Sequence, residues 1–298
     1  MVANGLWIGS KHFSLYNIDM TEETRKSSYP LASRAEDGHN TEIKVGNTLI
    51  GSSTFTVMAG PCAVESKDQL KSIAERVHES GVNILRGGAY KPRTSPYSFQ
   101  GLEEEGLGYL GEIARPLGMG VITEIMDARD IPKFVDHVDI LQVGARNMQN
   151  FTLLKELGKI RKPILLKRGM GSTLEELLGA AEYILKGGNK EVILCERGIR
   201  TFETATRATL DLSAVPVLKK MTHLPVIVDP SHAAGRSDIV PALALAACAV
   251  GADGIIVEVH DNPSKALCDG SQALSPEVFK TLVSKLKEMS PLVSKQFN

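Results

Sequence analysis

The chain has 298 residues, of which 43% are hydrophobic, and a formal net charge of -1. Its length allows one large barrel or two ordinary domains, and its near-neutral charge gives no overall field that would attract nucleic acid or an anionic membrane surface. Four cysteines without a CxxC pair, and an N-terminus without a secretory signal, predict a reduced, cytoplasmic protein. No apolar stretch reaches the roughly 18 residues that a membrane span needs.

The first 40 residues differ from the rest because they are polar and mostly lack helical periodicity. We interpret residues 1–40 as an N-terminal extension of uncertain order. Residues 41–45 and 48–50 then flank Gly46-Asn47, a dipeptide typical of a two-residue hairpin turn. We therefore predict a β-hairpin within residues 41–50, which could plug one end of the domain that follows.

From about residue 55 onward, short β-branched runs alternate with helix-like segments. Eight runs are predicted as strands: residues 55–59, 82–86, 120–124, 140–143, 164–167, 191–196, 226–229 and 254–258. Several are apolar on both faces, as expected for parallel strands that are covered on both sides. Eight such units predict an α/β fold of the (β/α)8 (TIM) barrel type, with residues 41–298, hairpin included, as one catalytic domain.

Helix signals lie between these runs. Ser66 with Gln69, and Thr173 with Glu176, match the capping-box pattern, in which a hydroxyl and a side chain three residues later satisfy free backbone amides. Gly81 lies where a left-handed residue would end the first of these helices. The pattern predicts helices packed around the sheet.

Basic residues recur at or shortly after the ends of the predicted strands. They are Arg86, Lys91, Arg93, Arg146, Lys167 and Arg197. In barrels of this kind the loops after the strands converge, and cations that surround one cavity repel one another unless an anion lies between them. Thr94 and Ser95 add hydroxyl donors next to Arg93. The pattern indicates a pocket for a substrate with several negative charges, although residues 91–95 could also be an ordinary polar loop.

A second group consists of side chains that can bind metals: Cys62, His232, Glu258 and Asp269. One thiol, one imidazole and two carboxylates suit a divalent ion of the Mn, Fe, Co or Zn class better than Ca or Mg. These residues form no local metal motif, and a lone cysteine after Gly-Pro can equally be a core residue. Cys195 and Cys248 lie in apolar runs and are predicted core residues, whereas Cys268 is left undecided.

Five segments carry a resemblance to a known family. They are residues 59–66 (AGPCAVES), 85–95 (LRGGAYKPRTS), 142–147 (QVGARN), 229–236 (DPSHAAGR) and 269–274 (DGSQAL). Together they resemble the type I beta branch of 3-deoxy-D-arabino-heptulosonate 7-phosphate (DAHP) synthase, from about residue 41 to the C-terminus. The first 40 residues lie outside the resemblance and contain neither a complete chorismate mutase domain nor a ferredoxin-like regulatory domain.

The resemblance implies a transferase that condenses phosphoenolpyruvate with erythrose 4-phosphate and water, the first step of the shikimate route to aromatic amino acids. It also implies that the four donors above hold a divalent metal ion, and that the protein is a homo-oligomer, with a tetramer favoured. It further implies that the carboxylate end of phosphoenolpyruvate is held by Arg86, Lys91 and Lys167. The phosphate of phosphoenolpyruvate would be held by Arg146 and Arg197. The phosphate of the sugar would be held by Arg93 and Thr94.

Three residues are predicted to act in proton transfer: Lys91, His232 and Asp269. Lys91 follows Arg86 and precedes the sugar-phosphate residues, so it could protonate the developing alkoxide or the leaving oxygen, although a purely electrostatic role fits equally well. For His232 and Asp269 metal ligation is the first expectation.

Three alternatives stay open at this point. The first is 3-deoxy-D-manno-octulosonate 8-phosphate synthase, which uses arabinose 5-phosphate; its loop typically reads Lys-Ala-Asn-Arg-Ser-Ser where this chain has the shorter sequence of residues 91–95. The second is a Schiff-base aldolase with Lys167 as the nucleophile. The third is a non-catalytic anion-binding barrel, which would leave the four metal-donor residues without a use.

Overall fold

The structure of the protein is a computed structural model that describes residues 28–34, 38–93 and 95–298. Most of the predicted N-terminal extension lies outside the described residues, so the boundary at residue 40 stays a prediction. Thr94, a predicted ligand of the sugar phosphate, also lies outside them.

The predicted hairpin is present and closes one end of the domain. Strands β1 (Ile43–Val45) and β2 (Thr48–Ile50) pair antiparallel, and Gly46 between them has a φ of 56°, as a two-residue hairpin turn requires. Ile43, Val45 and Ile50 are buried among inward-facing residues of the main sheet. A β-carbon on Gly120, the first residue of the barrel strand Gly120–Ile125, would lie only 2.7 Å from Val45. The hairpin therefore plugs the end at which the strands begin.

Eight parallel strands form a closed sheet in the part of the chain that the structure describes. They are β3 (Thr54–Gly60), β4 (Ile84–Arg86), β5 (Gly120–Ile125), β6 (Ile140–Val143), β7 (Ile164–Lys167), β8 (Val192–Glu196), β9 (Val226–Val228) and β10 (Gly254–Glu258). Each strand pairs with the next along the chain, and β10 pairs with β3, Gly254 opposite Thr56. A short strand, β11 (Gln296–Phe297), pairs with the start of β3. The (β/α)8 barrel predicted from the sequence is confirmed.

Helices follow the strands, and most of them cover the outside of the barrel. They are α1 (Lys67–Glu79), α2 (Glu103–Ala114), α3 (Ile131–Val135), α4 (Phe151–Leu157), α5 (Leu174–Lys186), α6 (Ala214–Met221), α7 (Pro230–Ala234), α8 (Val240–Ala249) and α9 (Pro276–Met289). Ser66 caps α1 by accepting a hydrogen bond from the amide of Gln69, and Thr173 and Glu176 form the full capping box of α5. Gly81, just past α1, has the predicted left-handed conformation, with a φ of 86°. None of the described helices combines the length and apolarity that a bilayer crossing needs.

The side chains of the strands divide between two apolar layers. In β3, Phe55 and Val57 point outward into the core beneath the helices, whereas Met58 points inward and meets the hairpin. Cys195 and Cys248 are fully buried, as predicted for core residues. Because both layers are filled, polar side chains collect in the loops after the strands, at the end opposite the hairpin.

Candidate active site

The loops that follow the strands surround a cleft of about 470 Å³. Its cationic lining residues are Lys91, Arg93, Arg146, Lys167, Arg197, Arg200 and Arg207. The lining also includes the hydroxyl of Ser95 and the carboxylate of Glu124. Such a surplus of positive charge in one concave space favours a ligand with several negative charges. Most of the basic residues predicted at the strand ends therefore surround one cleft, and its binding of an anion stays a prediction.

Four metal-donor side chains meet at one side of this cleft. One donor atom from each of Cys62, His232, Glu258 and Asp269 lies within 4.8 Å of the other three. The Cys62 Sγ is 3.4 Å from Asp269 Oδ2, and His232 Nε2 is 3.2 Å from Glu258 Oε1. Cys62 follows β3, Glu258 ends β10, and these strands are neighbours because the barrel closes. Asp269 has a left-handed conformation, with a φ of 52°, which is uncommon for a residue other than glycine.

Asp229 orients two side chains of the cleft. Its Oδ2 atom accepts hydrogen bonds from Lys167 Nζ at 2.5 Å and from His232 Nδ1 at 2.7 Å, and its Oδ1 atom caps α7 by accepting from the amide of His232. Burial opposes the ionised carboxylate, but the positive charges of His232 and Lys167 and these hydrogen bonds hold the pKa of Asp229 well below its usual value. The Nε2 atom of His232 is thereby directed at the other donors.

Two guanidinium groups of the site carry buried nitrogen atoms without a hydrogen-bond partner. Arg86 is 5% exposed; its Nη1 donates to Glu258 Oε1 and to the carbonyl of Pro61, both at 2.9 Å, whereas its Nε has no partner. In Arg197 the Nη1 atom is unpaired and Nη2 donates to the carbonyl of His232 at 3.2 Å. Because an unpaired buried donor is costly, these atoms indicate that a ligand completes their hydrogen bonding.

Lys91 lies between the cationic cleft and the metal-donor group. Its Nζ atom donates to the carbonyl oxygen of Cys62 at 2.9 Å and contacts the Cys62 Sγ at 3.1 Å. Burial disfavours the ammonium ion, but the negative potential of Cys62, Cys268 and Glu258 outweighs that effect and raises the pKa of Lys91. Lys91 is therefore protonated at neutral pH and can donate a proton to a group in the cleft.

Cys62 and Cys268 form a coupled pair of thiols with their sulfur atoms 3.3 Å apart. The hydrogen bond to Cys268, then burial, and then the charge of Glu258 raise the pKa of Cys62 well above its usual value. Accepting that hydrogen bond lowers the pKa of Cys268 to about 7, and Arg93 Nη1 contacts its sulfur at 2.6 Å. Because a metal binds the thiolate, Cys62 must give up its proton when it binds a metal.

A buried ion network supports the far wall of the cleft. Arg168 Nη1 donates to Glu196 at 2.9 Å and to Asp211 at 3.0 Å, and the other oxygen of Glu196 accepts from the amide of Gly198 at 2.6 Å. Arg168 directly follows Lys167, and Glu196 directly precedes Arg197. The network therefore fixes the ends of β7 and β8, from which these two cations project.

Most of the predicted site residues come together in the structure. The four predicted metal ligands converge, and five predicted substrate-binding cations line the cleft with Ser95: Lys91, Arg93, Arg146, Lys167 and Arg197. Arg86 lies beneath them and holds Glu258. Sequence reasoning gave no site role to Asp229, Arg207 or Gln272. For Gln272 a usable signal was its position in the segment 269–274 that carries the resemblance.

The fold and the cleft define a class of protein: a (β/α)8-barrel enzyme with a cleft lined by cations beside a group of metal-donor side chains. The family model described as DAHP synthetase I family matches residues 32–295. A relative from Thermotoga maritima, named phospho-2-dehydro-3-deoxyheptonate aldolase, is 55% identical over 91% of this chain and 80% of its own length. A 2-dehydro-3-deoxyphosphooctonate aldolase from Syntrophobacter fumaroxidans is 30% identical over 85% of this chain and 93% of its own.

Solved structures agree with these relatives. The crystal structure of the T. maritima DAHP synthase superposes with a TM-score of 0.88 at 53% identity, covering 91% of this chain and 79% of that one. A truncated form of 3-deoxy-D-arabino-heptulosonate 7-phosphate synthase from T. maritima gives a TM-score of 0.85 at 50% identity, with 91% of this chain and all of that chain covered. The chain belongs to the DAHP synthetase I family.

Proposed function

We propose that this enzyme condenses phosphoenolpyruvate with erythrose 4-phosphate and water, with a bound divalent metal ion, and releases DAHP and phosphate. The observation that carries the proposal is the position of the four metal-donor side chains at the edge of a cleft lined by cations. Two phosphorylated reactants need several cations, and an aldehyde needs an electrophilic group near it. The family membership and the relative named as a DAHP synthase support the same reaction.

The donor set fits a metal ion of the Mn, Fe, Co or Zn class. Its thiol and imidazole favour such ions over Ca or Mg, and a separation of at most 4.8 Å is close to that of atoms bound about 2.0–2.3 Å from one ion. The other ring nitrogen of His232, Nδ1, donates a hydrogen bond to Asp229, an arrangement common for histidines that bind metals. Cys62, His232, Glu258 and Asp269 would hold the ion, which would supply a Lewis acid for the aldehyde oxygen.

The cations of the cleft would bind and orient the two reactants. Arg86, with its unpaired Nε, and Lys167 would hold the carboxylate end of phosphoenolpyruvate, and Arg197, with its unpaired Nη1, would hold the phosphate. Arg146, which lies on the same cleft, would share that phosphate. Arg93 and Ser95, which also line the cleft, would bind the phosphate of the sugar, with Thr94 predicted from the resemblance to share that role. Binding in this way would leave C3 of phosphoenolpyruvate free to attack the aldehyde carbon.

Bond formation between these carbons leaves an alkoxide on the former aldehyde and cationic character at C2 of phosphoenolpyruvate. Lys91 would protonate the alkoxide, because its ammonium group lies beside Cys62 and faces the cleft. Water then adds at C2, and phosphate leaves by cleavage of the C–O bond. His232 and Asp269 would act first as metal ligands, and proton transfer through them would be secondary.

Two features disfavour the rival enzymes. The relatives named as 2-dehydro-3-deoxyphosphooctonate aldolases are about half as identical to this chain as the T. maritima DAHP synthase relative, at 28–30%. Lys167 Nζ is held by Asp229 at 2.5 Å, whereas the nucleophilic lysine of a Schiff-base aldolase needs an uncharged amine in an apolar or cationic setting. A homo-oligomeric assembly and a cytoplasmic location stay predictions.

A phosphate-release assay tests the proposed reaction. With phosphoenolpyruvate and a divalent transition-metal ion present, erythrose 4-phosphate should give rapid release, whereas arabinose 5-phosphate should give at most a few per cent of that rate. Equal rates with the two sugars would contradict the assignment of the substrate.

Borohydride in the presence of substrate should leave Lys167 unlabelled, and covalent labelling there would favour the Schiff-base reaction instead.

The adjacent thiols predict sensitivity to oxidation once the metal is absent. Peroxide should oxidise Cys268 to a sulfenic acid, and attack by the Cys62 thiol, 3.3 Å away, should then form a disulfide with loss of water. The metal-free protein should lose activity as the disulfide forms and regain it with reductant plus metal, and mass spectrometry of peptides should detect the cross-link. Cys268→Ser should prevent the disulfide, and Cys248→Ser should not. If peroxide inactivated Cys268→Ser as fast as the unmodified protein, and a cross-link was still detected, this pairing would be wrong.

A further inference from the structure

Gln272 lies directly behind two of the residues that would bind the metal. It is 1% exposed and belongs to the short turn Gly270–Gln272 that follows Asp269. Its Nε2 atom donates to Glu258 Oε2 at 2.7 Å, and its Oε1 atom accepts from Arg207 Nη1 at 3.0 Å. Both ends of the amide are therefore used by charged groups. The opposite orientation would pair donors with a guanidinium and an acceptor with a carboxylate, so the chemistry permits only this one.

Arg207 joins the amide to the second carboxylate. The same Nη1 atom that donates to Gln272 lies 3.5 Å from Asp269 Oδ1. Arg207 comes from the loop between β8 and α6, whereas Glu258 ends β10. A chain of contacts thus runs from Asp269 through Arg207 and Gln272 to Glu258, and it connects two separate segments that supply metal donors.

Glu258 is held on both of its oxygen atoms. Arg86 donates to Oε1 at 2.9 Å, and Gln272 donates to Oε2. The glutamate is 1% exposed, so these two bonds come from protein groups and not from bulk solvent. Without Gln272 the carboxylate could rotate about its terminal torsion, which is intrinsically soft. Its direction toward Cys62 and His232 therefore depends on the amide.

We propose that Gln272 and Arg207 form a positioning pair that presets Glu258 and Asp269 for the metal ion. This inference rests on the proposed function, because it assumes that the four converging residues bind a metal. Gln272 touches no reacting atom in this scheme and acts through the carboxylates. Hydrogen-bonding partners of metal ligands typically contribute tenfold to 100-fold to metal affinity.

The variant Gln272→Met tests the proposal, because it keeps the length and apolar packing of the side chain and removes both hydrogen bonds. Co²⁺ titration without substrate is the measurement, followed by the thiolate-to-cobalt charge-transfer band of Cys62. We expect the dissociation constant to rise about tenfold to 100-fold, with the band at saturation unchanged. Arg207→Met, at a side chain that is 41% exposed, should weaken binding by a smaller factor and gives a second test if Gln272→Met does not fold.

The double variant, with both Gln272→Met and Arg207→Met, shows whether the two residues affect Co²⁺ affinity jointly or independently. If the residues act as one unit, Arg207→Met should cost little further affinity when Gln272 is already Met. Asn189→Leu is the matched control, since Asn189 is also a buried amide but donates to the carbonyls of Leu157 and Lys162. It should lower stability and leave the Co²⁺ affinity as it was.

The possible failures can be told apart. If the unmodified protein gives no thiolate-to-cobalt band, the metal site of the proposed function is wrong, and this inference falls with it. If the band appears and the affinities of Gln272→Met and Arg207→Met equal that of the unmodified protein, only the positioning role is wrong. If Asn189→Leu weakens Co²⁺ binding as much as Gln272→Met does, the effect reflects general stability, and the proposal is likewise overturned.

Discussion

Removal of divalent metal should lower the turnover of this enzyme by at least about 1,000-fold. A Lewis acid at the aldehyde contributes several kcal/mol to the transition state, and each 1.4 kcal/mol corresponds to a factor of ten in rate. The measurement is phosphate release after dialysis against a chelator, followed by addition of single metal ions. We expect Mn, Fe, Co or Zn to restore turnover, and Mg or Ca to do so poorly, because the donors include a thiol and an imidazole.

Cysteine variants assign this effect to the proposed site. Cys62→Ser should reproduce much of the loss, because it removes the one sulfur donor among the four residues. Cys248→Ser is the control, since Cys248 is buried in α8 and contributes no donor to the cleft. A chelated enzyme that retained more than a tenth of its turnover, or a Cys62→Ser variant that stayed fully active under chelation, would show that the metal assignment is wrong.

Replacing Lys91 with Met should lower kcat by roughly 100-fold to 10,000-fold. The ammonium group of Lys91 lies at the boundary of the cationic cleft and the metal donors, and its raised pKa keeps it charged at neutral pH. The variant loses this proton donor, whereas most of the other cations that would bind phosphoenolpyruvate remain. Rapid-quench turnover and calorimetric binding of phosphoenolpyruvate separate the chemical step from affinity. The metal content must be measured as well, because Lys91 contacts Cys62.

A second substitution separates proton donation from electrostatic stabilisation. Lys91→Arg keeps the positive charge, but a guanidinium does not release its proton in proteins, so the loss should persist if Lys91 is a general acid. Lys44→Met, on the exposed side of the hairpin, is a control that should keep normal kcat. Near-normal turnover of Lys91→Met would exclude both roles, and rescue by Arg would leave only the electrostatic one.

The barrel and much of its site could be predicted because buried parallel strands have a recognisable sequence pattern. β-branched runs that are apolar on both faces indicate covered strands, and eight of them with helices between indicate closure. Closure then implies that residues after different strands meet. Cys62 and Glu258 are distant in the chain, yet β3 and β10 are neighbours. The four metal donors could therefore be proposed together from the residues, and the resemblance then favoured metal binding over a core role for Cys62.

The contacts between site residues could not be predicted in the same way. Arg207 belongs to a long loop without a strand, so its position depends on how that loop folds over the cleft. The 3.3 Å contact of Cys268 with Cys62 could not be predicted either, because it depends on the turn at Asp269, whose left-handed backbone has no clear sequence signal when the residue is not glycine. Asp229 was recognised at a strand end, but its simultaneous contact with Lys167 and His232 depends on side-chain geometry.

The hairpin at the start of the barrel affects how small molecules enter and leave the site. Ile43, Val45 and Ile50 fill that end with apolar side chains, so the described part of the chain leaves no second opening there. Reactants and products therefore enter and leave through the same cleft, at the end opposite the hairpin. In the proposed reaction, the inorganic phosphate set free on each cycle leaves past the same guanidinium groups that capture the next reactant, and it competes with that reactant for them.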